Sequence, residues 1–430
     1  MRYSRPLLAS AYGLLMSLRA TAVEGMPDPD IHGHVKYRYL TARYPEHSIY
    51  HHWYGETSSD HLLDSRFKFS FREGRFDLQV DYQIQALHSD LLRTRQVTGS
   101  PQPGQAYPED DRRFVDLTKV VSEGRDTAIL HRLDRFNIGY SSDQLVLRAG
   151  RQVLSWGNGL MFNPVDFFNP FDPVALDTEY KVGDDMLYGQ YLFADGDDIQ
   201  AVAVGRRNSR DSVTADESSF VVKYHGWLDD RVAWVGLAGA ELDLLAGVHF
   251  EQTILAAGLV KSMGGAIWRG DLMFTDTDEG GVLSAVANLS YSWTWGETNI
   301  SGTAEYYHNG FGLDDGRYRL PRVLRDDALQ ARLGRGELFT LGRNYLGLAA
   351  TIELTPLWLL TPTFLVNLDD QSALLQLGSR HDLAQDWHLI AALNLPLGPK
   401  GSEYGGIKSG FRDTTLASEG GLFVQLAYYF

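Results

Sequence analysis

From Leu63 to Phe71 the chain alternates, with Leu63, Ser65, Phe67, Phe69 and Phe71 on one face and Asp64, Arg66, Lys68, Ser70 and Arg72 on the other. A period of two marks a β-strand with one apolar and one polar face. Glu73-Gly74 supplies a tight turn. Beyond it Phe76, Leu78, Val80, Tyr82 and Ile84 alternate with Asp77, Gln79, Asp81, Gln83 and Gln85. The same pattern predicts strands at approximately 31–44, 61–72, 75–87, 127–141, 144–154, 185–194, 198–206, 217–227, 240–250, 252–262, 265–276, 282–295, 298–309, 340–354, 357–367, 371–381, 386–396 and 419–430. That is roughly eighteen, an even number. The last strand carries Leu422, Val424, Leu426 and Tyr428 on one face and ends on the terminal Phe430.

The links between these strands are of two kinds. Short ones fall at Glu73-Gly74, Ser141-Ser142-Asp143, Asp195-Gly196-Asp197, Asp229-Asp230, Gly264-Gly265, Gly296-Glu297, Thr355-Pro356 and Ala384-Gln385-Asp386. Longer or more variable ones cover about 45–60, 88–126, 155–184, 207–216, 277–281, 310–339 and 397–418. A soluble β-sandwich alternates as well, but its turns carry no systematic length bias. The expected fold is therefore all-β: a transmembrane antiparallel β-barrel with short periplasmic turns and long extracellular loops. Trp293, Trp295, Tyr428 and Phe430 are expected in its periplasmic aromatic girdle. Segment 228–240 fits least well and reads as an extra hairpin or a bent strand.

Composition narrows the setting. A mean hydropathy of −0.23, with Tyr 22, Phe 20, Trp 9 and Gly 43, is far too polar for a bundle of membrane helices. A barrel averages out, because lipid-facing and lumen-facing residues alternate. Cysteine is absent, which excludes disulfides and thiolate metal sites. Arg2 and Arg5 precede an apolar run from Leu7 to Leu18, and Ala20-Thr21-Ala22 follows, so residues 1–22 read as a signal peptide and 23–430 as the barrel. Cleavage would remove three arginines and no acid, taking the net charge from −16 to −16 − 3 = −19. Such a charge argues against a nucleic-acid partner. The closing strand resembles that of Gram-negative outer-membrane barrels. The implied location is the outer membrane, and the implied partners are its lipid, lipopolysaccharide and the machinery that assembles barrels. The acids at Glu109-Asp110-Asp111, Asp314-Asp315 and Asp326-Asp327 are expected as solvated loop charge.

Residues 150–185 carry the functional information. Between strands stand Pro164, Pro170 and Pro173 together with Trp156, Phe162, Phe167, Phe168 and Phe171. So many aromatics left in water would promote association. The loop, about 155–184, is therefore expected to fold into the lumen, either narrowing it or acting as a plug or brace. Its candidate constriction residues are Trp156, Phe162, Asn163, Asp166, Phe167, Phe168, Asn169 and Asp172. Alternation places Arg66, Lys68, Asp81, Arg135, Arg148, Gln152, Arg269, Asp271 and Glu305 on the lumen wall, along with Asp77, His131, Lys223 and His225. Both signs occur, so the lumen reads as mixed in charge. Arg148 and Arg151 are expected to anchor the loop through Asp166, Asp172 or Asp177.

The string Gly150-Arg151-Gln152, Ser155-Trp156-Gly157 and Asn163-Pro164-Val165-Asp166 resembles a proteobacterial group of porin-like outer-membrane proteins, similar in barrel to alginate-export and capsule-attachment proteins. The resemblance implies an eighteen-strand barrel and leaves the substrate open. No long run of arginine and lysine suited to an acidic polysaccharide is present. Catalytic signals are weak. Tyr306-Tyr307-His308-Asn309-Gly310 has no serine close behind its histidine, and no Gly-x-Ser-x-Gly or His-Glu-x-x-His occurs. The expected function is an outer-membrane channel, without enzyme activity, cofactor or metal. It would pass or export a small or polymeric solute through a lumen narrowed by loop 155–184. The alternative is a plugged barrel that anchors a surface polysaccharide or a periplasmic transport partner.

Overall fold

The computed structural model describes residues 30–93, 107–229, 234 and 236–430, so the expected signal peptide lies outside the described residues. Eighteen antiparallel strands, from Asp30–Arg43 to Gly420–Tyr429, pair in chain order around a ring. The last pairs with the first, Tyr37 opposite Leu426 and Tyr39 opposite Val424. Closure leaves the eighteen barrel strands without a free edge, as a membrane requires because lipid cannot satisfy a free backbone group, while a short extra strand, Thr118–Glu123, pairs with Thr127–Ser141 alone. The predicted strand bounds agree with the observed ones to within about four residues.

Outward positions such as Phe136, Ile138, Leu187, Leu255 and Leu272 are exposed on the surface that meets lipid. Trp268, Trp293, Trp295, Trp358 and Trp387 lie near the strand ends that lead into the short turns, Trp227 lies at the end that leads into link 228–240, and all are exposed. Their amphipathic rings suit the interface, forming the periplasmic girdle expected from Trp293 and Trp295. Segment 228–240 contains neither an added hairpin nor a bent strand among its described residues. It closes as a link in which Leu228 N donates to Ala240 O at 2.8 Å.

A β-bulge corrects one wall residue. Asp81 pairs with Arg135 and Tyr82 with Leu133, leaving Asp134 as the extra residue in strand Thr127–Ser141. An extra residue flips the side-chain phase beyond it. Arg135 is buried as expected, but above the bulge Arg132 and Asp134 turn inward. His131, expected in the lumen, instead sits beside the Tyr82 ring on the outside, with centroids 5.6 Å apart.

Regular elements also occur within the loops, beyond the reach of a period-two reading. Helices form at Ile49–Tyr54, Leu320–Val323 and Asp327–Arg335, and the last is capped by Asp326, which accepts from Leu329 N at 3.0 Å. Leu313, Tyr318, Val323, Leu329 and Ile407 form a small core that joins two outer loops. Glu403 ties this cap to the rim by accepting from Tyr345 Oη at 2.5 Å, Asn367 Nδ2 at 2.7 Å and Leu341 N at 2.8 Å.

Burial pushes the Glu403 carboxyl up to about 7. The folded cap therefore holds this proton more tightly than an unfolded chain would. Its stability is full below the ordinary glutamate range and falls as pH rises towards about 7, by about 3 kcal/mol at most. Amide exchange across 398–406, corrected for the intrinsic pH dependence, is expected to quicken between pH 5 and pH 8. Glu403→Gln should flatten that profile, whereas an identical profile in the variant would assign the effect elsewhere.

Candidate functional site

Loop 153–183 leaves strand Leu145–Gln152 and returns to strand Asp184–Leu192. Its three prolines bar a regular ladder, so its buried amides need acceptors from the wall. Asp271 accepts from Asn158 N at 2.5 Å and from Asn158 Nδ2 at 2.7 Å. Glu305 accepts from three successive amides, Leu160 N at 2.7 Å, Met161 N at 2.9 Å and Phe162 N at 2.7 Å. Farther round, Gln376 donates to Val174 O at 2.9 Å. Lys36 Nζ lies 2.7 Å from both Asp177 and Glu179, while Gln425 and Tyr429 donate to the same two acids. Arg135 completes the circuit with a hydrogen bond to Lys181 O. The loop thus runs around the inside of the barrel as a lining.

Apolar packing follows the same path. Trp156, Val165, Phe167 and Phe168 lie on Val202, Val221, Leu245, Ile254 and Met273, which face inward from five adjacent strands. Trp156 Nε1 finds Gln200 Oε1 at 2.8 Å. Phe162 stacks on Tyr307, 4.9 Å between centroids and 9° between planes. Asn163 closes the turn by accepting from Val165 N and Asp166 N, both at 3.2 Å. Asn169 adopts a left-handed φ of 54°, and Asp172 accepts from Val174 N at 2.9 Å. Each fully buried aromatic contributes about 2–3 kcal/mol, which holds the lining in place.

The wall residues fall into three groups. Asp271 and Glu305 hold the loop. Arg66, Asp81 and Arg135 join a buried charge cluster through Asp134, at 2.5 Å from Arg66 and 2.7 Å from Arg135, while Arg66 lies 3.7 Å from Asp81. The others serve locally. Lys68 lies 4.3 Å over the Tyr180 ring, Arg148 is 3.6 Å from Asp77, and Arg269 bonds Asn288 and Ser290. Gln152 Nε2 donates to the carbonyls of Arg148, Gly150 and Met186.

The expected anchor pairing is corrected. Arg151 meets Asp110 at 2.5 Å and Asp185 at 2.8 Å, while Asp166 pairs with Lys181 and Asp177 with Lys36. Asp110 is therefore no solvated loop acid. It is 2 % exposed, and Arg113 at 2.9 Å and Arg132 at 3.4 Å surround it as well. Removing either partner from such a buried pair leaves an uncompensated charge. Asp326 is likewise engaged, as the helix cap. The Lys36, Glu179 and Tyr180 group was missed from the sequence, although Lys36 follows the outward Val35 in phase and was legible as an inward cation.

Three cavities follow one another down the lumen. The outer one, about 450 Å³, touches Phe250 and Glu337, and the middle one, about 490 Å³, touches Lys36, Asp64 and Arg66. They share Glu109, Arg113, Asn169 and Arg335. The inner one, about 820 Å³, reaches Tyr429 near the periplasmic rim and meets the middle one at Asp177. Among the described residues no three histidines or carboxylates are placed to hold a metal ion.

No protein-family model matches the sequence, and no curated protein matches it. Solved structures do match the fold. OccAB1 of Acinetobacter baumannii aligns with a TM-score of 0.51 at 10 % identity, covering 95 % of this chain and 98 % of that one. OccAB2 of the same organism gives 0.52 at 9 %, covering 94 % and 98 %. OccD3 (OpdP) of Pseudomonas aeruginosa gives 0.50 at 10 %, covering 95 % and 92 %. The chain has the fold of outer-membrane porins. At this level of identity the likeness concerns the barrel and says nothing of a solute.

Proposed function

We propose that this chain is an outer-membrane channel for small polar solutes, narrowed by the lining loop 155–184. The observation that carries the reading is a set of three cavities inside the barrel, each sharing lining residues with the next, from the extracellular loops to Tyr429. Their junction lies at Asp177, against Lys36. The likeness to alginate-export barrels is not extended to an acidic polysaccharide. Asp177 and Glu179 at the junction would repel a polyanion, and Lys36 is already neutralised by both. We assign the barrel to the Gram-negative outer membrane, with lipid and lipopolysaccharide around it and the closing strand presented to the assembly machinery. Catalysis is not part of the proposal, and His308 is hydrogen-bonded to Asn344 at 2.9 Å.

Purified barrel in planar bilayers is expected to give discrete current steps. A folded barrel that passes no current, either intact or with residues 158–180 deleted, would overturn the channel reading.

A further inference from the structure

The inner cavity differs in chemistry from the two above it. Strands Asn344–Thr355 and Trp358–Asn367 present Thr351, Thr361 and Thr363 to it. Among the described residues none of these three side chains is hydrogen-bonded within the protein. Facing them, the lining loop contributes Leu160, Met161 and Leu176. Gly378, opposite Thr361, lines the same space, and a Cβ there would stand 3.3 Å from the Thr361 carbonyl oxygen and 3.5 Å from the Leu176 side chain. The charges at the rim are occupied. Asp177 and Glu179 share Lys36, and Arg380 reaches Asp382 and His388.

A threonine hydroxyl both donates and accepts, as a sugar hydroxyl does. Each charge on this wall already has a partner, so a charged solute would have to compete with Lys36, Asp382 or His388 for it. An uncharged solute with hydroxyls on one face and C–H groups on the other meets matching surfaces on both sides. A volume of about 820 Å³ lies within the usual range of small-molecule sites. We infer that the inner cavity is a subsite for uncharged polyhydroxylated solutes of mono- or disaccharide size. The inference rests on the channel reading and narrows its solute class.

Three probes of one carbon skeleton test it: D-glucose, gluconate and glucosamine, in swelling of liposomes that contain the full barrel. Glucose is expected to enter at least about five-fold faster than either charged analogue, the scale of one net hydrogen bond. The triple variant T351V/T361V/T363V should lose that preference while heat-modifiable gel mobility shows that its barrel is still folded. Ion current without a preference for glucose would overturn the subsite and leave the channel standing. Should no current flow, saturation-transfer NMR of glucose on the detergent-solubilised barrel still decides. A signal lost in the triple variant supports the subsite, and no signal in the parent barrel overturns it.

Discussion

Glu305→Ala is expected to release the 160–162 stretch of the lining loop and raise single-channel conductance about three-fold or more, as wall contacts give way to open lumen. Glu305 is 1 % exposed and holds three consecutive amides of the loop on one carboxylate. Alanine would leave three N–H groups without that acceptor, the Phe162 one buried at a cost of about 1–3 kcal/mol and the two part-buried ones at less. The stacked Phe162 beside them supplies about 2–3 kcal/mol and cannot offset the loss. The barrel itself should persist, because its eighteen strands hydrogen-bond to one another whether or not the loop is docked. Conductance in bilayers reads the first effect, and heat-modifiable gel mobility reads the second. Unchanged conductance in a folded Glu305→Ala barrel would show that the loop does not narrow the path.

Lys36→Gln should turn the channel cation-selective. Lys36 is 4 % exposed and stands 2.7 Å from each of two carboxylates where the middle and inner cavities meet. Without it, Asp177 keeps the Gln425 hydrogen bond and, as its cation, the more distant Arg38 at 3.6 Å, and the junction becomes more negative by one charge. Interaction at such a partly desolvated point is several times stronger than in bulk water. The potassium-to-chloride permeability ratio is expected to rise roughly five- to ten-fold at 0.1 M salt. It should shrink towards parity at 1 M, where the Debye length falls from about 10 Å to about 3 Å. Reversal potentials across a KCl gradient measure both. A ratio unmoved at low salt would place the ion path away from Lys36.

Particular residues show how far the sequence could be read. Arg66, Asp81 and Glu305 were legible as wall residues because every second neighbour faces lipid. Arg132 was not. The bulge that turns it inward falls within Leu-Asp-Arg, where two adjacent polar residues hide the change of phase. Asp110 stands in an acidic run that reads as solvent-facing, and Arg113, Arg132 and Arg151 reach it through folding. One further signal was present. Val202, Val221, Leu245, Ile254 and Met273 are apolar on the face where a lumen should be polar, and that marks a wall covered from within.

The barrel, its strand number and the direction of most side chains were determined by the sequence by itself. The reason is local: in a strand each residue's environment differs from its neighbour's, and alternation records that contrast directly. The route of the loop, and therefore the partners of each charge, was decided by tertiary structure alone. Lys36 and Asp177 lie 141 residues apart. Their meeting depends on where Glu305, Gln376 and the apolar wall guide the chain between them, which no two-residue period records.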